Sequence, residues 1–126
     1  MASILIVEDD RWLADCYRRW LEKANHAVRH TTDAQGALWL IDEEAPELIL
    51  LDMLLPQANG VQLLHELRSY PDLMHTPVVI CSNALPANTP DLGEYGVKIV
   101  LDKGSLTPTK LYAAIDEVLA HAAPAN

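Results

Sequence analysis

The stretch Leu48-Ile49-Leu50-Leu51-Asp52-Met53-Leu54-Leu55-Pro56 sets the terms on which the rest of the chain is read. Its first four residues are aliphatic without alternation and too few for a helix, which is the pattern of a strand buried on both faces. Such strands belong to parallel sheets covered by helices. Two further runs share the form, Ile4 to Val7 and Val78 to Cys81, and two weaker ones, Ala27 to His30 and Val97 to Leu101, complete a set of five. Helical patterns fill the intervals. Leu13, Cys16, Tyr17, Trp20, Leu21 and Ala24 form one apolar stripe on a helix that Asp9 or Asp10 can cap. Thr32 or Asp33 opens a second helix through Ala37, Leu38 and Ile41, stopped by Pro46, and a third runs from about Val61 to Arg68. The last has Thr107 as N-cap, Pro108 at its first position, and Leu111, Ala114, Ile115, Val118 and Leu119 on one face.

Alternating strands and helices predict an α/β fold with a doubly wound, five-stranded parallel sheet and helices on both faces. One interval breaks the rule. Residues 84–96 carry Pro86, Pro90, Gly93 and Gly96 where a fourth helix is due, so any helix there is short or irregular. No linker or repeat divides the chain, and the expected organisation is one domain over residues 1–122 with a short tail at 123–126, which contains Pro124.

Composition narrows the function. With 126 residues, 50% hydrophobic and 21% charged, the chain is long enough to bury a core, and no apolar run approaches the ~18 residues of a membrane span. Nine Lys plus Arg against eighteen Asp plus Glu give a net charge of −9, which repels phosphate backbones and anionic lipid surfaces, so neither nucleic acid nor membrane is expected as a direct partner. Cys16 and Cys81 lack metal-ligand spacing and are too few for a disulfide framework; they read as two buried thiols in a reducing compartment. Met1 leads straight into Ile4 to Val7 without the basic flank and cleavage site of a signal peptide, and a cytoplasmic location is expected.

In an open parallel sheet, ligands bind beyond the carboxyl ends of the strands. There the first strand exits into Glu8, Asp9 and Asp10, the third into Asp52, the fourth into Ser82 and the fifth into Asp102 and Lys103. Acids, a hydroxyl and an ammonium thus converge on one edge. Carboxylates a few ångströms apart repel by about 1 kcal/mol in water and by several-fold more in a cleft. A hard divalent cation removes that cost, and magnesium takes one or two carboxylates with water, backbone and phosphate oxygens. Each acid also has a plainer reading as the cap of the next helix. That suits Asp10; it does not suit Asp52, flanked by leucines and Met53, where an unpaired carboxylate is costly.

Taken together, Ile-Val-Glu8-Asp9-Asp10, Leu-Leu-Asp52-Met-Leu-Leu-Pro56 with Gly60 four residues on, Val-Ile-Cys-Ser82 and Asp102-Lys103 resemble the receiver domain of two-component response regulators, over roughly residues 3 to 120. The resemblance implies the flavodoxin-like strand order 2-1-3-4-5. It implies Asp52 as phosphoacceptor, taking a phosphoryl group from a sensor histidine kinase or phosphotransfer protein. Asp9, Asp52 and the backbone carbonyl of Leu54 would bind Mg2+ directly, and Glu8 through a water. Lys103 would contact one phosphoryl oxygen and Ser82 another in the active state. The implied output is a switched interaction with a downstream effector protein, by a monomer or a weak phosphorylation-dependent dimer. Such a module catalyses its own phosphorylation and slow dephosphorylation and is otherwise no enzyme.

Two departures from the family pattern stand out. Gly104 follows Lys103 where receivers usually place a proline, so glycine's freedom in φ is expected to make the bend. Val100 stands where many receivers carry an aromatic reporter. Two rivals remain. A haloacid-dehalogenase-type phosphatase needs a second acid two residues beyond the nucleophile, where this chain has Leu54. A pseudo-receiver, an interaction module never phosphorylated, usually lacks the Asp or the Lys, and both are present. His26 and His30 read as surface histidines, because a metal site needs more ligands than these, and His65, on the third helix, reads as a solvated histidine in a setting that does not suggest a phosphorelay role. Trp12 falls off the first helical stripe near the acidic edge, Trp20 sits on the stripe, and Trp39 is an interface candidate.

Overall fold

The computed structural model describes residues 1–55, 58–83 and 92–121. Five strands, β1 (Ser3–Val7), β2 (Ala27–Thr31), β3 (Leu48–Leu51), β4 (Val78–Ser82) and β5 (Val97–Asp102), pair in parallel in the order β2-β1-β3-β4-β5. This is the order expected from the resemblance. Val7 sits opposite both Thr31 and Leu51, so β1, β2 and β3 end level with one another, while β4, paired Ile80 to Leu51, runs two residues further to end level with β5 at Ser82 and Asp102. The acidic residues that follow β1 and β3 therefore emerge side by side.

Four helices cover the sheet among the described residues: α1 (Arg11–Lys23), α2 (Ala34–Glu43), α3 (Gly60–Ser69) and α4 (Pro108–Ala120). Strand alternation divides the core even though the central strands are buried on both sides. Leu5, Val7, Ile49, Leu51 and Ile80 face α2 and α3, packing with Ala37, Ile41, Leu63, Leu64 and Leu67. Ile4, Ile6, Leu48, Leu50 and Val79 face α1 and α4, packing with Tyr17, Leu21, Leu111 and Ile115. Burying a Leu or Ile side chain contributes about 1.5–3 kcal/mol, so two such layers hold the central strands firmly.

The caps follow the sequence closely. Asp10 accepts from the Trp12 and Leu13 amides at the start of α1, Asp33 from Gly36 at α2, and Thr107 from Lys110 at α4, where Pro108 occupies the first turn. Each open choice between neighbouring caps is thus settled on the second residue of the pair. Gly60 begins α3 because nothing larger fits: its amide donates to Met53 O at 2.9 Å, and a Cβ would lie 2.7 Å from Met53 Sδ. That close approach ties α3 to the turn after Asp52, where Leu54–Leu55 and Ala58–Asn59 form a small antiparallel ladder.

Three expectations need correction or qualification. The irregular fourth helix falls mostly on residues 84–91, outside the described residues, as does the tail 123–126; the part described, Leu92–Tyr95, is a single 3-10 turn. The bend after Lys103 does not use glycine's freedom. Among the described glycines only Gly96 has positive φ, and the bend is a 3-10 turn over Lys103–Ser105 capped by Asp102, whose Oδ1 accepts from the Gly104 amide at 3.2 Å. Of the thiols, Cys81 is buried and Cys16 only half-buried.

Candidate functional site

The sheet itself fixes the backbone of two of the acids. One residue past β1, the Glu8 amide still donates to Thr31 O at 3.1 Å; one residue past β3, the Asp52 amide donates to Val7 O at 2.9 Å. Both side chains turn inward, leaving Glu8 2% and Asp52 5% exposed. Asp9, between Glu8 and the capping Asp10, stays exposed. One carboxylate oxygen from each of Glu8, Asp9 and Asp52 lies within 4.8 Å of the others. The three-acid run thus divides its labour: one acid buried, one open, one spent as a helix cap.

Lys103 enters from the opposite side on its 3-10 turn. Its Nζ lies 2.6 Å from Glu8 Oε1 and 3.1 Å from Asp52 Oδ2, with most of the side chain buried. The remaining carboxylate oxygens are also engaged, Asp52 Oδ1 by the Leu54 amide at 3.0 Å and Glu8 Oε2 by the Asp10 amide at 3.2 Å. One ammonium among several carboxylates leaves the edge negative. Burial pushes the Glu8 carboxyl up to about 7, against the pull of Lys103 and the Asp10 amide, and the charge on Asp52 adds to the rise. Burial alone would lower Lys103, but its bonds to Glu8 and Asp52 prevail and raise it. Both members of this ion pair rise for opposite reasons: desolvation prevails over the favourable partners of Glu8, whereas the two carboxylates prevail over desolvation at Lys103.

Ser82 ends β4 as a buried hydroxyl residue, and Leu54 presents a side chain 52% exposed two residues beyond Asp52. The structure therefore brings Glu8, Asp9, Asp52 and Lys103 together, with Ser82 and Leu54 on the same sheet edge. His30 is a residue whose place here the sequence reading missed. It is half-buried on β2, and its Nε2 lies 3.0 Å from Glu8 O, steadying the backbone of the buried acid. Its signal was register, since β2 runs beside β1 and brings residue 30 to the strand exit. His26 Nδ1 accepts from the Ala2 amide, and His65 meets the Tyr95 hydroxyl at 2.9 Å, so neither belongs to the acidic edge.

A doubly wound sheet with acids and a lysine converging at its carboxyl edge defines a class of α/β module whose ligand site lies beyond the strand ends. Within that class the match is specific: the family model of the response regulator receiver domain fits residues 4–116, and the chain belongs to that family. It is similar to the polar-differentiation response regulator DivK of Brucella anthropi, 32% identical over 77 residues that make up 61% of this chain and 63% of DivK. It is also similar to the transcriptional regulatory protein CpxR of Klebsiella pneumoniae, 36% identical over 80 residues, 64% of this chain and 33% of CpxR. The matches thus span less than two thirds of these relatives. Among solved structures, a LuxR-family two-component response regulator from Aurantimonas sp. SI85-9A1 superposes with a TM-score of 0.82 at 27% identity, covering 95% of this chain and 86% of that one. The chain is a receiver of two-component signal transduction. Among the described residues no helix is long and apolar enough to cross a membrane.

Proposed function

We propose that this receiver is a phosphoacceptor in which a phosphoryl group passes from a phosphohistidine, on a sensor histidine kinase or phosphotransfer protein, to Asp52. The observation that supports this most is Lys103 Nζ, held 3.1 Å from Asp52 Oδ2 and 2.6 Å from Glu8 Oε1 at the carboxyl edge of the sheet. An Asp52 oxygen attacks phosphorus, the P–N bond breaks with its electron pair passing to the imidazole, and an O–P bond forms. Little covalent assistance is needed, because positioning and charge neutralisation supply most of the rate. Lys103 exchanges a carboxylate for a phosphoryl oxygen as a point charge, and the Ser82 hydroxyl donates to another.

The three carboxylates suit a hard divalent cation, since each offers an oxygen within 4.8 Å of the others and together they outnumber Lys103. Asp9 and Asp52, with the Leu54 backbone carbonyl and Glu8 through a water, are the residues that would hold Mg2+. When bound, the ion supplies positive charge against the acids and the transferred phosphoryl oxygens. The acyl phosphate then biases a conformational equilibrium that a downstream effector protein reads. On this reading residues 1–122 form the receiver and 123–126 a tail, the chain acts in the cytoplasm without contacting nucleic acid, and its only catalysis is on itself.

Incubation with acetyl phosphate, followed by intact-mass measurement, tests the proposal. Wild type gains the mass of one phosphoryl group with magnesium and none with EDTA, and Asp52→Asn gains none. An unmodified wild type would leave the fold as a phosphorylation-independent interaction module; equal labelling of Asp52→Asn would move the acceptor elsewhere.

A further inference from the structure

Between α2, the loop into β3 and the loop into β4 lies a groove of about 490 Å³ that runs along α2 from Gln35 and takes most of its lining toward the carboxyl end of that helix, away from Asp52, where Trp39 and Ile41 to Glu44 line it. Its floor and walls include Ile41, Trp39, Tyr70 and Leu73. Trp39 is 70% and Tyr70 48% exposed, although each carries a large apolar surface that gains from burial. Exposed aromatics gathered around a concavity and rimmed by polar residues are the mark of an interaction surface.

The rim carries one sign of charge. Asp42, Glu43, Glu44 and Asp72 line the groove, and among the described residues lining it none is a lysine or arginine. The guanidinium of Arg29 approaches from β2, but it is committed to the backbone, bonding Leu40 O and Glu44 O at 2.6 Å each. Those bonds pin the last turn of α2. On the other wall, Leu73 N donates to Tyr70 O at 2.9 Å and Thr76 N to Leu73 O at 3.1 Å, fixing the turn that presents the tyrosine. The walls are preformed, so little ordering free energy is lost on occupation.

We propose that this groove docks a basic amphipathic segment of a partner protein, with an aliphatic or aromatic anchor set between Trp39 and Tyr70 and flanking Lys or Arg side chains meeting the acidic rim. Trp and Tyr are the residue types that most often dominate binding energy, and a cation over the Trp39 face adds to it. The net charge of −9 steers such a segment inward and repels acidic competitors. The groove lies at the amino ends of β3 and β4, whereas Asp52 follows the carboxyl end of β3, roughly 13 Å away along a four-residue strand. Occupation therefore leaves the phosphorylation edge open, and docking and phosphoryl transfer can proceed on one molecule together.

Three synthetic 14-residue peptides test the proposal against the full chain: one with Lys and Leu at helical spacing, one with Ser for each Leu, and one with Glu for each Lys. Amide chemical-shift mapping should place the Lys/Leu peptide at residues 38–44 and 70–74 with saturable binding, while the other two bind at least tenfold more weakly. Trp39→Ala and, separately, Glu43→Lys should each weaken the Lys/Leu peptide at least fivefold and leave labelling by acetyl phosphate unchanged. Both side chains are exposed, so the fold is spared. Shifts centred on Glu8, Asp9 and Asp52, equal binding of the Lys/Ser peptide, or no loss in either variant would overturn the assignment. So would concentration-dependent shifts at Trp39 in the protein alone, which would make a second copy the occupant.

Discussion

Replacing Asp9 with asparagine should make the metal-free protein more stable. Asp9 has a carboxylate oxygen within 4.8 Å of both Glu8 and Asp52, and Lys103 contacts those two acids. Seen from Asp9, the neighbours sum to about one negative charge. At that separation the repulsion is about 0.9 kcal/mol in the aqueous limit and about 3.5 at an effective dielectric of 20. Asp9 is exposed, so the lower figure governs, and Asp9→Asn should gain about 1 kcal/mol. For 126 residues the unfolding entropy is roughly 0.26 kcal/mol/K, which makes the gain about 4 °C in Tm. Thermal melts in EDTA at pH 8 and low salt read it directly, and ~1 M KCl should shrink it as the charges are screened. Magnesium should invert the order. At ten times its Kd the ion stabilises wild type by about 1.4 kcal/mol, whereas the variant has lost an acid and should gain little. A lower Tm for Asp9→Asn in EDTA, or an undiminished magnesium shift, would refute the reasoning that these acids are held together against their own repulsion.

Three further outcomes follow from the same geometry. Leu54 cannot orient water with its exposed side chain, so Leu54→Asn should speed decay of the phosphorylated form about tenfold, or about 1.4 kcal/mol in barrier, measured by loss of the phosphorylated mass; unchanged decay would count against a hydrolytic path past residue 54. Because burial raises the Glu8 carboxyl from near 4.5 to about 7 in the folded state, its contribution to stability is full below 4.5 and lost as pH rises through 7. In EDTA, wild type should accordingly lose more Tm between pH 5.5 and 8 than Glu8→Gln does, and parallel curves would be the contrary result. Leu50→Ala, in the layer against α1 and α4, should cost about 2–5 kcal/mol in urea unfolding without changing the slope, and a cost under about 1 kcal/mol would mean that this layer is loosely packed.

The legibility of the sequence tracked burial. The central strands β1, β3 and β4 are enclosed on both faces and so write themselves as uninterrupted aliphatic runs. β2 and β5 lie at the sheet edges, half-exposed, and their patterns are correspondingly weaker. The pairing order was not readable from those runs at all, since five strands admit several orders; it came with the resemblance. At the site, residue types were visible and their division was not. Glu8-Asp9-Asp10 is three acids in a row until the sheet ladder fixes Glu8, the helix claims Asp10, and Asp9 is left facing outward. Gly104 misled for a related reason: the turn at Lys103–Ser105 is set by the Asp102 side chain and asks no unusual φ of the glycine.

That division separates what is fixed at the site from what can move. The amides of Glu8 and Asp52 are continuations of the β1–β2 and β1–β3 ladders, so moving either carboxylate far means tearing backbone hydrogen bonds at the centre of the sheet. Lys103 is attached differently. It stands on a one-turn 3-10 element stabilised by Asp102, and four rotatable carbons separate its charge from the backbone. On the proposed function, an incoming phosphoryl group would meet acids that cannot retreat and a cation that can shift. Since Glu8 Oε1 holds the ammonium at 2.6 Å while Asp52 Oδ2 holds it at 3.1 Å, the lysine can keep its buried acid and yield the Asp52 oxygen. On that proposal Glu8 would be the anchor that keeps Lys103 in place while its other partner changes from carboxylate to acyl phosphate.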